Sequence, residues 1–127
     1  MNIKQRETVI LANDYKAVVK WYVEILGFKL IKTFEDEYHY YNIKNESGIE
    51  IGIASAGEMG VELGDRKRNP VILQIEVEDV QLFFEYLKKN NVTTQFGPSF
   101  DKSGEFWYGA FFDLEGNPIW VVDKNCP

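Results

Sequence analysis

The groups able to do chemistry are few. The 127-residue chain has one histidine, His39, and one cysteine, Cys126. A zinc or nickel site built on several imidazoles is therefore excluded. Cys126 stands beside the C-terminus with no activating group near it in sequence, so it makes a poor nucleophile. No serine–histidine–aspartate arrangement can be assigned. Gly57, Gly60 and Gly64 do not follow a strand as a nucleotide-binding loop requires. Carboxylates, amides and aromatic rings remain. Glu50 lies between isoleucines in a strand-like run, so it must face a cavity or solvent. Gln74 and Glu76 alternate with Leu73, Ile75 and Val77 in the same way. Aromatic residues reach 15%, more than a small core needs, so some are expected to line a cleft. Such walls, with a few acidic and amide groups, suit a planar, cationic or amide-bearing ligand.

These side chains need elements to position them. Thr8 to Ala12 reads as a strand, and Asn13 and Asp14 offer cap oxygens for a helix. Tyr15, Val18, Val19, Tyr22, Ile25 and Leu26 fall at helical spacing, and Gly27 closes that helix. Phe28 to Phe34, Glu37 to Lys44 and Ile49 to Ser55 read as strands. Ala56 to Asn69 carries three glycines and mixed charge, and reads as a linker. Pro70 to Glu78 is the next strand, with Asp79 as cap. Val80, Phe83, Phe84 and Leu87 stripe a second helix, with Lys88 and Lys89 near its C-terminus. Val92 to Phe96, Glu105 to Phe112 and Pro118 to Val122 are three more strands. The order βαβββ thus occurs twice: module one over about 1–56, a linker over about 57–69 and module two over about 70–127, in a single α+β domain.

The net charge of -6 argues against a nucleic-acid partner. An acidic surface favours a cationic ligand or equally serves solubility alone. The one basic cluster, Arg66, Lys67 and Arg68, is flanked by Gly64 and Pro70 and is expected to be a solvated loop. A single cysteine permits no internal disulfide, which fits a reducing, cytoplasmic setting. Met1 to Glu7 lacks the apolar core of a signal peptide, and no apolar run approaches the ~20 residues of a membrane helix.

Three segments carry a resemblance. Asn13 to Tyr22 followed by Leu26-Gly27-Phe28, the run Glu76-Val77-Glu78-Asp79-Val80, and the turn Phe112-Asp113-Leu114-Glu115-Gly116-Asn117 resemble signatures of the vicinal oxygen chelate superfamily. That superfamily includes glyoxalases, bleomycin-resistance proteins and extradiol dioxygenases. Leu114 replaces the usual proline of the last signature. The resemblance implies two βαβββ modules whose curved mixed sheets form a cup-like cavity, paired within a chain or across a homodimer. It also implies four inward positions that hold a divalent metal in the metal-dependent members. Carried over by spacing, these are Glu7, Glu50, Ile72 and Trp120.

Ile72 and Trp120 cannot ligate a metal, and two carboxylates alone make a weak site even for magnesium or calcium. No cofactor is therefore expected. The residues expected to meet a ligand are Glu7, His39, Tyr41, Glu50, Gln74, Trp107 and Trp120. On the third strand the alternation equally allows Tyr38 and Tyr40 in place of His39 and Tyr41. Phe106 and Tyr108 stand beside Trp107 as candidates. Bland alternatives accompany each: a solvated Glu7 at a strand end, wet-face Gln74 and Glu76, an ordinary strand histidine, and tryptophans in a core or dimer interface.

Three functions compete. The first is a metal-independent, sequestering small-molecule binder of the bleomycin-resistance type, homodimeric, with its ligand in an acidic, aromatic-lined cleft. The second is a lyase, isomerase or dioxygenase using Glu7 and Glu50 as metal ligands, or Glu50 as a catalytic base. The third is an accessory domain without small-molecule chemistry.

Overall fold

The two aspartates expected as caps do start the two helices. In the computed structural model, which describes Met1–Pro127, Asp14 accepts a hydrogen bond from the backbone N–H of Ala17 at 3.1 Å. Asp79 accepts one from the N–H of Leu82 at 3.0 Å. Each satisfies a donor that the first helical turn cannot satisfy itself. The elements run β1 (Thr8–Ala12), α1 (Tyr15–Leu26), β2 (Lys29–Glu35), β3 (His39–Lys44), β4 (Glu50–Ser55), a short 3-10 helix (Arg66–Arg68), β5 (Leu73–Glu76), α2 (Val80–Lys89), β6 (Thr94–Asp101), β7 (Phe106–Phe112) and β8 (Pro118–Val122). The chain divides into two compact units, Met1–Gly64 and Asp65–Pro127.

In module one the sheet order is β1-β4-β3-β2, with β1 parallel to β4 and the other pairs antiparallel. Module two repeats the plan as β5-β8-β7-β6, with β5 parallel to β8. Both sheets are mixed, and neither closes on itself. The parallel contact follows from the helix between its two strands, which carries the chain back over one sheet face. Gly27 ends α1 at φ 74°, the left-handed conformation open to a residue without Cβ.

One face of each sheet packs on its helix. In module one Val18, Val19 and Tyr22 from α1 are buried, with Ile43, Ile51 and Ile53 from the sheet. In module two Val80, Phe84 and Leu87 from α2 are buried, with Phe111, Ile119 and Val121. Removing a large aliphatic side chain from either layer costs about 2–5 kcal/mol.

Two local expectations are corrected. The strand expected to stop at Phe96 continues to Asp101, with its register shifting between Phe96 and Ser99. Pro98 is tolerated because β6 is an edge strand, where a missing N–H breaks no ladder bond. The basic cluster is not uniformly solvated. Arg66 pairs with the Glu115 carboxylate at 2.6 Å and donates to its backbone carbonyl at 3.0 Å, with only 11% of the Arg66 side chain exposed. Lys67 sits 5.5 Å over the Phe112 ring, and Arg68 stays in solvent.

Candidate functional site

The sheet face away from the helix is where each module can meet a ligand. Residues paired across neighbouring strands share a face, so the register assigns every side chain. In module one, Val9, Gly52, Asn42 and Lys32 form one open-face row. Leu11, Ala54 and Tyr40 form the next. Ile10, Ile53, Tyr41 and Thr33 lie on the helix side.

Glu7 precedes β1 and reaches across this face. Its Oε1 accepts a hydrogen bond from the Tyr40 hydroxyl. Its Oε2 accepts from the Asn42 amide at 2.6 Å. Both partners stand on β3, beyond β4. Gly52 on β4 makes the reach possible. A Cβ there would lie 2.0 Å from the Tyr40 hydroxyl oxygen and 2.8 Å from Glu7 Oε1. Burial, reinforced by the Glu7 carboxylate, pushes the Tyr40 hydroxyl up to about 12. A groove of ≈ 270 Å³ opens at this end of the sheet, lined among others by Arg6, Glu7, Lys32, Asn42, Lys44 and Glu50. Glu50 stands at the mouth, half exposed and 3.7 Å from Lys44.

The expectation that His39 and Tyr41 face the cavity is corrected: both lie on the helix side. Tyr15 of α1 stacks on the His39 ring at 5.1 Å and meets Tyr41 edge-on at 5.5 Å. Tyr41 is buried and donates to Glu35, a bond that pushes its hydroxyl up to about 12. His39 donates its backbone N–H to Glu58 at 2.7 Å, and its Nδ1 meets the same carboxylate at 2.7 Å. Those contacts hold the Glu58 carboxyl below its ordinary range, the backbone bond contributing most. Tyr40 and Asn42 hold the open-face places instead. The parity of Ile43 was the available signal: Tyr41 shares it and so belongs with the buried isoleucines.

In module two, Gln74, Trp120, Ala110 and Phe96 form one open-face row, and Glu76, Val122, Tyr108 and Ser99 the next. Trp120 is 43% exposed, and Phe96 meets it edge-on at 6.4 Å. Phe96, Tyr108, Trp120 and Val122 border an apolar depression of ≈ 170 Å³. Trp107 is a further correction. It shares its face with Gly109 and Phe111, packs on Phe100 at 5.3 Å, and does not join the open face. Phe106 and Tyr108 do, at 5.9 Å from each other.

The repeated topology also corrects the placing of Glu50. Counting back from Asp14 and Asp79 aligns Glu7 with Ile72, and Val9 with Gln74. Val9 pairs with Gly52, and Gln74 pairs with Trp120. The module-one counterpart of Trp120 is therefore Gly52, two residues beyond Glu50. Positions two apart in a strand share a face, so alternation alone could not separate them. With Gly52 in the place first given to Glu50, only Glu7 of the four positions bears a ligating atom, and both its oxygens already accept hydrogen bonds. Nowhere do three or more His, Cys, Asp or Glu side chains gather so as to hold a metal ion.

The relatives agree with this architecture. The family model of the Glyoxalase/Bleomycin resistance protein/Dioxygenase superfamily matches residues 4–121. The crystal structure of UcmS2 superimposes with a TM-score of 0.79 at 20% identity, covering 96% of this chain and 98% of that one. A glyoxalase family protein from Enterococcus faecalis gives 0.75 at 22% identity, covering 94% and 96%. A point variant of glyoxalase I from Zea mays gives 0.74 at 18% identity, covering 91% of this chain and 43% of that one. Among curated proteins, none matches the sequence. At these identities the structures speak for the fold alone, while the family model spans nearly the whole sequence. The chain belongs to the Glyoxalase/Bleomycin resistance protein/Dioxygenase superfamily.

Proposed function

We propose that this protein is a small-molecule binding protein that sequesters its ligand without a metal. One observation carries the reading. The position where metal-dependent members would place a ligand is Gly52, and the Tyr40 hydroxyl fills the volume a side chain there would need. The donor set does not fit a divalent cation, which needs several charged or strongly polar ligands. Glu7 is the single carboxylate at these positions, and it is held by Tyr40 and Asn42. The aromatic depression around Trp120 supplies the apolar contact a small molecule needs.

The protein acts as a homodimer in the cytoplasm. Exposed Val9, Phe34 and Trp120 support pairing, and a lone free cysteine supports a reducing compartment. No helix is long and apolar enough to cross a membrane.

Calorimetry with nickel, zinc, manganese and magnesium tests the reading. The expected result is no stoichiometric binding. Tight one-to-one binding that disappears in Glu7→Ala would overturn it and make the chain a candidate metalloenzyme.

A further inference from the structure

We infer that the module-one groove binds an organic anion, with Arg6 and Lys32 as its charged contacts. The inference rests on the reading of the protein as a small-molecule binder and names the charge of the group that the module-one groove takes.

The local charge balance points the other way from the chain's net charge of -6. Three cations, Arg6, Lys32 and Lys44, line the groove against two carboxylates, Glu7 and Glu50. Lys44 and Glu50 answer each other at 3.7 Å. The Glu7 oxygens are turned to neutral donors, Tyr40 and Asn42. Arg6 and Lys32 are left with no ion-pair or hydrogen-bond partner.

Lys32 is in the groove for an identifiable reason. Leu30 pairs with Ile43, yet Lys32 pairs with Asn42, so Ile31 is an extra residue between them. Without that bulge, Ile31 would stand opposite Asn42 and Lys32 would point to the helix side. Bulges re-aim a side chain and are frequent beside binding sites. Here the bulge brings an ammonium into the same row as Asn42 and Gly52, with Ile31 also lining the groove.

A carboxylate entering the groove would replace water around two unpaired cations. An ammonium entering it would meet those same cations as like charges. Charge-assisted hydrogen bonds from arginine and lysine favour the first.

The test compares three probes with one aromatic body: 2-naphthoate, 2-naphthylmethylammonium and 2-naphthylmethanol. Each is titrated into the full chain by nitrogen-detected NMR and calorimetry. The expected result is that 2-naphthoate binds at least about tenfold tighter than the ammonium. It should shift the signals of Arg6, Lys32 and Asn42 and weaken as salt rises. Lys32→Met should cost about tenfold for 2-naphthoate and leave 2-naphthylmethanol unchanged. Tighter binding of the ammonium, or an unchanged naphthoate affinity in both Lys32→Met and Arg6→Met, would overturn the anion site. If 2-naphthylmethanol still binds and loses affinity in Trp120→Ala, the binding-protein reading survives that failure. If none of the three binds at millimolar concentration, both fall.

Discussion

The two modules share a topology, a capped helix and a packed layer, yet their open faces carry opposite chemistry. The row Val9–Gly52–Asn42–Lys32 in module one corresponds to Gln74–Trp120–Ala110–Phe96 in module two. Where one has a glycine crossed by a Glu7–Tyr40 hydrogen bond, the other has a tryptophan. Where one has an ammonium, the other has a phenyl ring. The helix-side rows differ much less: Ile51, Ile53 and Ile43 on one sheet answer Ile119, Val121 and Phe111 on the other. The packed face is constrained by volume and apolarity, whereas the open face must satisfy neither. Function is therefore to be sought where the repeats differ: polar groups gather on the open face of module one, and aromatic rings on that of module two.

Substitution at the paired positions Gly52 and Trp120 is the sharpest way to break that comparison. Gly52→Ala should destabilise the protein by about 1–3 kcal/mol, because the added methyl collides with the Tyr40 hydroxyl. Urea unfolding measures this. Adding Tyr40→Ala should recover part of the loss, and an additive result would show that the collision is not the cause.

Tyr40→Phe removes one of the two donors to Glu7 and should cost about 1 kcal/mol. It also bears on alkaline stability. The Tyr40 and Tyr41 hydroxyls are pushed up to about 12, above the ordinary tyrosine value near 10. A raised pKa stabilises the fold fully below the unfolded value. Unfolded chains release these protons first, so the stabilisation fades as pH climbs from about 10 to about 12. Ultraviolet titration should show one late phenol fewer in Tyr40→Phe than in the native protein. An unchanged number of late phenols in Tyr40→Phe would remove the basis for a held Glu7.

Trp120→Ala should have the smallest effect on stability, within about 0.5 kcal/mol, because much of the ring is in solvent and no core void opens. Its effect on binding of a neutral aromatic probe should be large, read as lost affinity by calorimetry. A large loss of stability instead would make the ring structural and return module two to a packing role.

Much of the fold was legible in the sequence. The caps Asp14 and Asp79, the closing Gly27, and the alternating isoleucines of Ile49 to Ile53 are local signals, since each acts through its own backbone or its nearest strand neighbours. They settled the element order and the doubled module. Two kinds of information were not local. Strand alternation has a period of two, so it could not separate Glu50 from Gly52. On β3, where both parities carry aromatics, it left open which set faces the cavity. The parity of Ile43 was the one hint, and pairing with β4 and α1 stacking through Tyr15 decided that Tyr40 and Asn42 take the open face while His39 and Tyr41 lie on the helix side. The bulge that brings Lys32 to the open face likewise arises between strands, as a mismatch of register that neither strand encodes alone. The sequence by itself determined which elements form and in what order. Tertiary structure alone decided which side chains meet, because register is a property of paired strands.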